Sequence, residues 1–394
     1  MSESSQGQLH SIQRASFMVG GIGLVALAFL GLFNPGLFFR SYLLSYLFWL
    51  QISLGSLAIL MLHHMVGGGW GFVIRRLLEA ATRTLPLMAL LFLPLLLGLR
   101  ELFEWARPEA VEDEILRHKA LYLNVPFFVV RAALYFAIWI LLSYFLNKRS
   151  LQQDRIGDPG LTRKLQILSG PGLVLYGATV TFSSIDWAMS LEPHWFSTIY
   201  GMMFMVGQSL TALAFAIVAL KVFSAHPPLD SVVTPKHFHD LGNLTLAFVM
   251  LWAYLSFSQY LITWSGNLPE EIPWYLHRIH GGWQYIGLFL ILFHFTLPFL
   301  LLLSRVNKRS GRSLALLAGF ILMLRFVDLF WLIVPALDWQ EGLNFHWSDL
   351  FAILGIGGVW CALFTRRLGE RALLPLHDPR FAEKHAPKEV LEHG

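Results

Sequence analysis

Long apolar stretches alternate with short polar ones along almost the whole of this chain. Ten apolar runs stand out, at residues 17–33, 42–65, 85–99, 125–146, 167–189, 196–223, 241–264, 283–303, 314–334 and 350–365. An α-helix needs roughly 20 residues to cross a bilayer, and most of these runs approach that length. Backbone groups in hydrocarbon must be satisfied internally, which leaves helices or closed barrels. The pattern therefore predicts an all-α, polytopic membrane protein of about ten transmembrane helices. The run at 85–99 is short and holds Pro86 and Pro94. Its polar continuation is expected to extend the helix, with Arg100 and Glu104 paired one turn apart. Nine or eleven spans fit the pattern as well. The expected organisation is a polar N-terminal segment over 1–16, a transmembrane domain over 17–365 and a polar, flexible tail over 366–394.

Composition agrees with the pattern. The 394 residues are 56% hydrophobic and 14% charged, against about 25% charged in soluble domains. The net charge of +4 is spread over the loops, which argues against nucleic-acid binding. Lys and Arg fall mostly in alternate loops: 21 of the 29 lie on one side, six on the other, and Arg131 and Arg325 lie within spans. By the positive-inside rule, the basic side, which carries both termini, faces the cytoplasm. The N-terminus does not read as a signal peptide, because its polar lead has only Arg14 as a basic residue and Ala26-Leu27-Ala28 lies inside the apolar run. The first span is expected to be retained.

The far side gathers Trp105, Trp195, Trp264, Trp274, Trp283, Trp339 and Trp347. An interfacial aromatic belt accounts for them. Its loops also carry Glu192, Glu270, Glu271, Asp338 and Glu341, which suits a docking surface for a peripheral partner.

Candidate chemistry rests on ionisable residues in or near hydrocarbon, where each costs about 2.5–3.5 kcal/mol on insertion scales. Asp186 sits near the far end of the fifth run, with Trp187, Ser190, Glu192 and His194 just beyond. A buried carboxyl with an imidazole nearby suits proton exchange near neutrality; a polar cluster that merely closes the helix end fits equally. Arg325 and Asp328 lie mid-span at a spacing that puts them on one helix face. They fit a structural ion pair or a gate in a proton relay. Arg131 either pairs with Asp186 or snorkels to the interface.

His63, His64 and His294 lie toward the basic side. They suit a proton relay or ordinary buried hydrogen bonds better than a b-type haem, which needs imidazoles facing each other. His237-Phe238-His239-Asp240 is a weak metal signal, and Asp240 reads as a helix N-cap. Ser256 and Gln259 give the seventh run a polar face, as His280 and Gln284 do near the eighth. These four, with Trp187, are candidate quinone contacts. The single cysteine, Cys361, excludes a self-contained iron–sulfur cluster, a covalent c-type haem or an internal disulfide.

The run Ser184-Ile185-Asp186-Trp187-Ala188-Met189-Ser190-Leu191-Glu192-Pro193-His194-Trp195 and on to Gly201 resembles the smaller NrfD/polysulfide-reductase-like membrane subunits of alternative complex III. So do Leu251-Trp252-Ala253-Tyr254, the stretch Ser265-Gly266-Asn267-Leu268-Pro269-Glu270-Glu271-Ile272-Pro273-Trp274-Tyr275, and Arg325-Phe326-Val327-Asp328. The likeness covers about residues 170–340 in motif terms, and the ten-span layout matches the whole chain. It implies two four-helix bundles with two flanking helices, in a bacterial inner membrane. It also implies a quinol:cytochrome c (or terminal oxidase) oxidoreductase that oxidises menaquinol or ubiquinol. The implied partners are a larger NrfD-like membrane subunit, a periplasmic iron–sulfur subunit and c-type cytochrome subunits. This subunit would hold no haem or iron–sulfur cluster, and would contribute quinone contacts, a proton path, or both. Asp186 and His194 match the outer motif; Arg325 and Asp328 match the mid-membrane one. A purely structural anchor for periplasmic redox subunits is the main alternative, and a secondary transporter a weaker one, since it predicts paired broken helices.

Overall fold

The computed structural model describes residues 3–338, 342–375 and 377–381. Ten helices are long and apolar enough to cross a membrane among the described residues. They are α1 (Gln6–Gly31), α2 (Pro35–Val66), α3 (Gly69–Leu97), α4 (Val125–Ile156), α5 (Pro159–Leu191), α6 (Tyr200–Phe223), α7 (Pro235–Gly266), α8 (Trp283–Leu303), α9 (Gly311–Leu337) and α10 (Trp347–Gly369). No strand occurs among the described residues. The protein is an all-α, multi-pass membrane protein, as the hydropathy pattern predicts.

Several helices begin on a side-chain cap followed by proline. Asn34 accepts from the Leu37 N–H at 3.0 Å, Asn124 from Phe127 at 2.9 Å and Asp158 from Gly160 at 2.8 Å. Pro35, Pro126 and Pro159 occupy the first positions of these helices. A proline there loses no hydrogen bond and has its φ already set for a helix.

The helices close into two rings. Neighbours α2, α3, α4 and α5 pack in cyclic order, and so do α6, α7, α8 and α9. The rings meet along α2, α5 and α6, which makes α2 almost wholly buried. The remaining pair, α1 and α10, lie against each other and flank α2. Their seam is made by small residues: a Cβ on Gly20 or Gly23 would strike the backbone of Val359 or Gly355. Such close backbone approach supplies the van der Waals contact that holds helices together in lipid. This is the expected pair of bundles with two flanking helices.

Several differences from the sequence reading stand out. The third span is extended toward its N-terminus, through Gly69–Thr82, rather than past residue 99. Beyond Leu102 the chain leaves the helix, and Arg100 and Glu104 form no ion pair. α3 also breaks at Arg83 and Thr84, ahead of Pro86. α8 carries a π-helical turn over Leu290–Thr296. The first helix already starts at Glu3. The C-terminal stretch, read as a flexible tail, continues α10 to Gly369 and then packs down with Leu373, Leu374, Asp378 and Phe381 buried. Finally, α7 begins at Pro235 with Thr234 and His237 forming its cap, so Asp240 lies inside the helix and caps nothing.

Candidate functional site

Buried charge gathers at three levels, on the far side, midway, and on the basic side. At the far end of bundle one, Asp186 is completely buried. Arg131 on α4 grips it with two hydrogen bonds of 2.9 Å, and the Tyr135 hydroxyl donates a third at 2.8 Å. The Arg131 guanidinium also donates to the Tyr122 carbonyl at 2.8 Å and lies 3.8 Å over the Tyr122 ring. Arg131 therefore pairs rather than snorkels. A bidentate guanidinium–carboxylate contact is the strongest form of ion pair and fixes both partners in orientation.

Glu192 stands apart from Asp186 and belongs to a second far-side group. It accepts from His277 and Arg278 at 2.9 Å each, and both residues come from the short helix Ile272–Ile279 ahead of α8. Burial opposes its ionisation, but the Arg278 guanidinium and the hydrogen bonds from His277 and Arg278 prevail and hold its carboxyl below the usual carboxylate range. Arg278 has a further task. Pro335 has no N–H to return to the Trp331 carbonyl four residues back, and Arg278 donates to that carbonyl at 3.2 Å and to Leu332 at 2.8 Å. Its guanidinium lies 3.6 Å over Trp274, which stacks on Trp195. His194 points elsewhere, to Asp113 at 2.7 Å in the exposed loop before α4. The Leu116 backbone N–H and His194 hold the Asp113 carboxyl below its ordinary value. Trp339 and Glu341 lie outside the described residues, as does the side chain of Asp338.

Midway, Arg325 and Asp328 on α9 form an ion pair of 2.6 Å, both buried. The guanidinium also donates to Thr211 on α6 at 3.3 Å and to Gln51 on α2 at 3.4 Å, and Thr211 donates to Gln51 at 3.1 Å. Gln51 is at the midpoint of α2, so the network spans the joint between the two bundles. Gly207, one turn from Thr211, leaves the space that the guanidinium fills; a Cβ there would strike it. Beside the pair, Trp252 stacks on His294, with ring centroids 4.2 Å apart. His294 lies in the π-helical turn of α8, and neither of its ring nitrogens has a partner among the described residues.

A small cavity, with room for about one water, lies between the upper levels. It is lined by Gln51, Gln208, Ser183, Ser184 and Trp187, with apolar side chains between them. Ser183 and Ser184 are within a turn of Asp186, so the cavity extends from the Arg325 network toward the far-side pair.

The third level was not foreseen from the sequence. Arg75, Arg76 and Glu79 on the first half of α3 are all buried. Glu79 pairs with Arg75 at 3.0 Å, with Arg76 at 2.6 Å and with Arg371 at 3.2 Å. Arg75 pairs with the buried Asp378 at 2.7 Å, and Arg76 with Asp154 on α4. Ser150 and Gln153 complete the shell around Arg75. A fourth buried pair, Arg40 with Asp349 at 2.9 Å, fastens α2 to the start of α10. The signal that was available is the period of 69–82, which puts Arg75, Arg76 and Glu79 on adjoining turns of one helix; its charges made it read as a loop.

His63 and His64 sit in the last turn of α2, near the third level, and His294 lies in the other bundle. That is not the facing arrangement a bis-imidazole haem needs. The candidate quinone contacts do not converge. Gln259 bonds Ser197 and Thr263, Gln284 caps the Gly282 N–H, His280 is exposed and Ser256 is unpartnered among the described residues. Trp187 is packed in bundle one among Phe92, Phe136 and Trp139. His237 caps α7 and His239 lies near Asp240 and Asn243; no group of three or more metal-capable side chains occurs among the described residues. No protein-family model and no curated protein matches the chain.

Proposed function

We propose that this protein is the proton-conducting membrane subunit of a quinol:cytochrome c or quinol:oxidase oxidoreductase. The observation that carries the proton role is the position of Gln51. One side chain takes part in the Arg325–Thr211 network and lines the cavity that reaches toward Asp186. A cavity with room for about one water, in which Gln51, Gln208, Ser183 and Ser184 stand among apolar side chains, offers a hydrogen-bonded step between two buried carboxylates, which proton transfer requires. The respiratory setting rests on the resemblance over residues 170–340. On this reading the basic side faces the cytoplasm of a bacterial inner membrane. The partners are a larger NrfD-like subunit, an iron–sulfur subunit and c-type cytochromes, with the redox centres held by those chains.

The alternative is a scaffold, and one observation favours it: the buried carboxylates of all three levels close on arginines. Such pairs remove much of the cost of buried charge without any traffic of protons. Gln51→Leu separates the readings, because it leaves every ion pair in place. The complex would be purified from its native membrane through a tag on this chain. Proton conduction predicts unchanged subunit composition with quinol-driven proton release lowered at least ten-fold. A scaffold predicts both unchanged. A chain that purifies alone overturns the respiratory setting.

A further inference from the structure

The apolar run of α2 ends at residue 65 and that of α5 begins at residue 167. The two ends are neighbours: a Cβ on Gly170 would lie 3.8 Å from the Met65 sulfur. Beside them, on the basic side, is an open cleft of about 260 Å³, with Met65, Val66, Gly67, Gly68, Gln166 and Arg380 in its walls. The end of an apolar run marks the level at which hydrocarbon gives way to lipid headgroups. The cleft has the character of both regions. Met65 is 44% exposed, Val66 65% and the adjoining Ile167 63%, whereas Gln166 and Arg380 are polar.

The charge in the cleft has one sign, since Arg380 is the only ionisable residue lining it among the described residues. Its guanidinium reaches Asp378 and the His64 carbonyl only at 3.5 Å, well beyond the ~2.7–2.9 Å of a strong charge-assisted bond. Asp378 is held by Arg75 at 2.7 Å instead, so the charge of Arg380 is poorly matched. The guanidinium stands over the turn between α2 and α3: a Cβ on Gly67 would lie 3.8 Å from its Nη1. At the next residue, Gly68, α3 begins without a side-chain cap. The first N–H groups of a helix have no partner within it and carry the positive end of its dipole. An arginine and the start of a long helix thus meet at one open space, a combination that suits a phosphate. Arg163 and Lys164, both exposed, lie within a turn of Gln166 on α5 and add to the positive field at its approach.

We propose that this cleft binds the headgroup of an anionic phospholipid from the leaflet on the basic side. The phosphate lies between Arg380 and the start of α3, and the acyl chains run along Met65, Val66 and Ile167. Those exposed apolar side chains favour a lipid over a free phosphate, which gains nothing from them. Basic pockets between membrane helices at this level suit anionic headgroups. The bound lipid ties α2, α3 and α5 to the chain that carries Arg380. The site stands independently of the respiratory setting and takes no part in proton transfer.

The test is native mass spectrometry of the full chain, purified in detergent, delipidated and titrated with dioleoylphosphatidylglycerol or dioleoylphosphatidylcholine. The tightest site is expected to prefer phosphatidylglycerol by about five-fold or more, the contribution of one arginine near an anionic surface. Arg380→Ala and Gln166→Glu are each expected to abolish the preference. The second places a carboxylate in the cleft and leaves Arg380 and its neighbours as they are. Arg309→Ala, at an exposed arginine between α8 and α9, is expected to keep it. A wild type without the preference, or a preference that survives in either cleft variant, overturns the site. So does an equal loss in Arg309→Ala, which marks general attraction to basic loops. Displacement of phosphatidylglycerol by millimolar inorganic phosphate gives the cleft to a free anion and overturns the lipid. Because the readout is lipid affinity and not turnover, its failure leaves the Gln51 experiment untouched.

Discussion

Arg325 shows how much one side chain depends on the space left by another residue. Its guanidinium fits because residue 207 is glycine, and it is pinned there by Asp328, Thr211 and Gln51. Gly207→Ala is expected to push the guanidinium out of this site. Overpacking of that kind costs about 1–3 kcal/mol, and here it also unmakes the mid-membrane network. The thermal midpoint in detergent should fall, and quinol-driven proton release should drop as in Gln51→Leu. Unchanged melting would mean that α6 and α9 part easily, contrary to their close packing. At this scale the sequence was informative. Asp186, Arg325 and Asp328 are conspicuous because each is a charge within an apolar run. Arg131 was noticed for the same reason, but its partner is 55 residues away, and no local pattern could pair them.

Among the elements, the far end of α9 is the one most dependent on a side chain from elsewhere. Pro335 removes the N–H that would close the last turn, and Arg278 supplies the missing donors while Glu192 neutralises it. The Glu192 carboxyl is held below its ordinary value of 4.5. A depressed carboxyl stabilises the fold fully above its unfolded value and stops doing so as pH falls through the folded one. Wild type should therefore melt above Glu192→Gln at pH 7, and the gap should shrink below the ordinary value of 4.5 and close at more acidic pH. A gap independent of pH would show that Glu192 acts by packing instead. The half-helix Gly69–Thr82 makes the opposite point about legibility. Its three buried charges lowered its hydropathy until it read as a loop, yet those charges are what anchor it to α4 and to the segment after α10.

Across the whole molecule, charge asymmetry and charge burial carry different information. Six of the 29 Lys and Arg lie on the far side and 21 on the basic side; on the proposed reading the basic side stays in the cytoplasm, because basic loops resist translocation. Alkaline phosphatase fused at the C-terminus is expected to be inactive, and the same enzyme inserted in the exposed loop near Glu109 active. The reverse pattern would invert the membrane assignment. The all-helical class and the place of most spans follow from the sequence, since hydrocarbon admits few backbone solutions and a 20-residue apolar run is visible without any partner. Where the buried charges go does not. Arg75 and Asp378 are 303 residues apart, Arg40 and Asp349 are 309 apart, and Gln51 meets Arg325 across 274. Gln51 meets Arg325 because the two rings pack along α2, α5 and α6, and the other two contacts form because α10 and the chain after it pack on α2 and α3. The sequence by itself determined that this is a membrane bundle with costly residues inside it. Only the tertiary structure decided which of them neutralise one another, because in a low dielectric the partner of a charge is chosen by proximity in space and not by spacing along the chain.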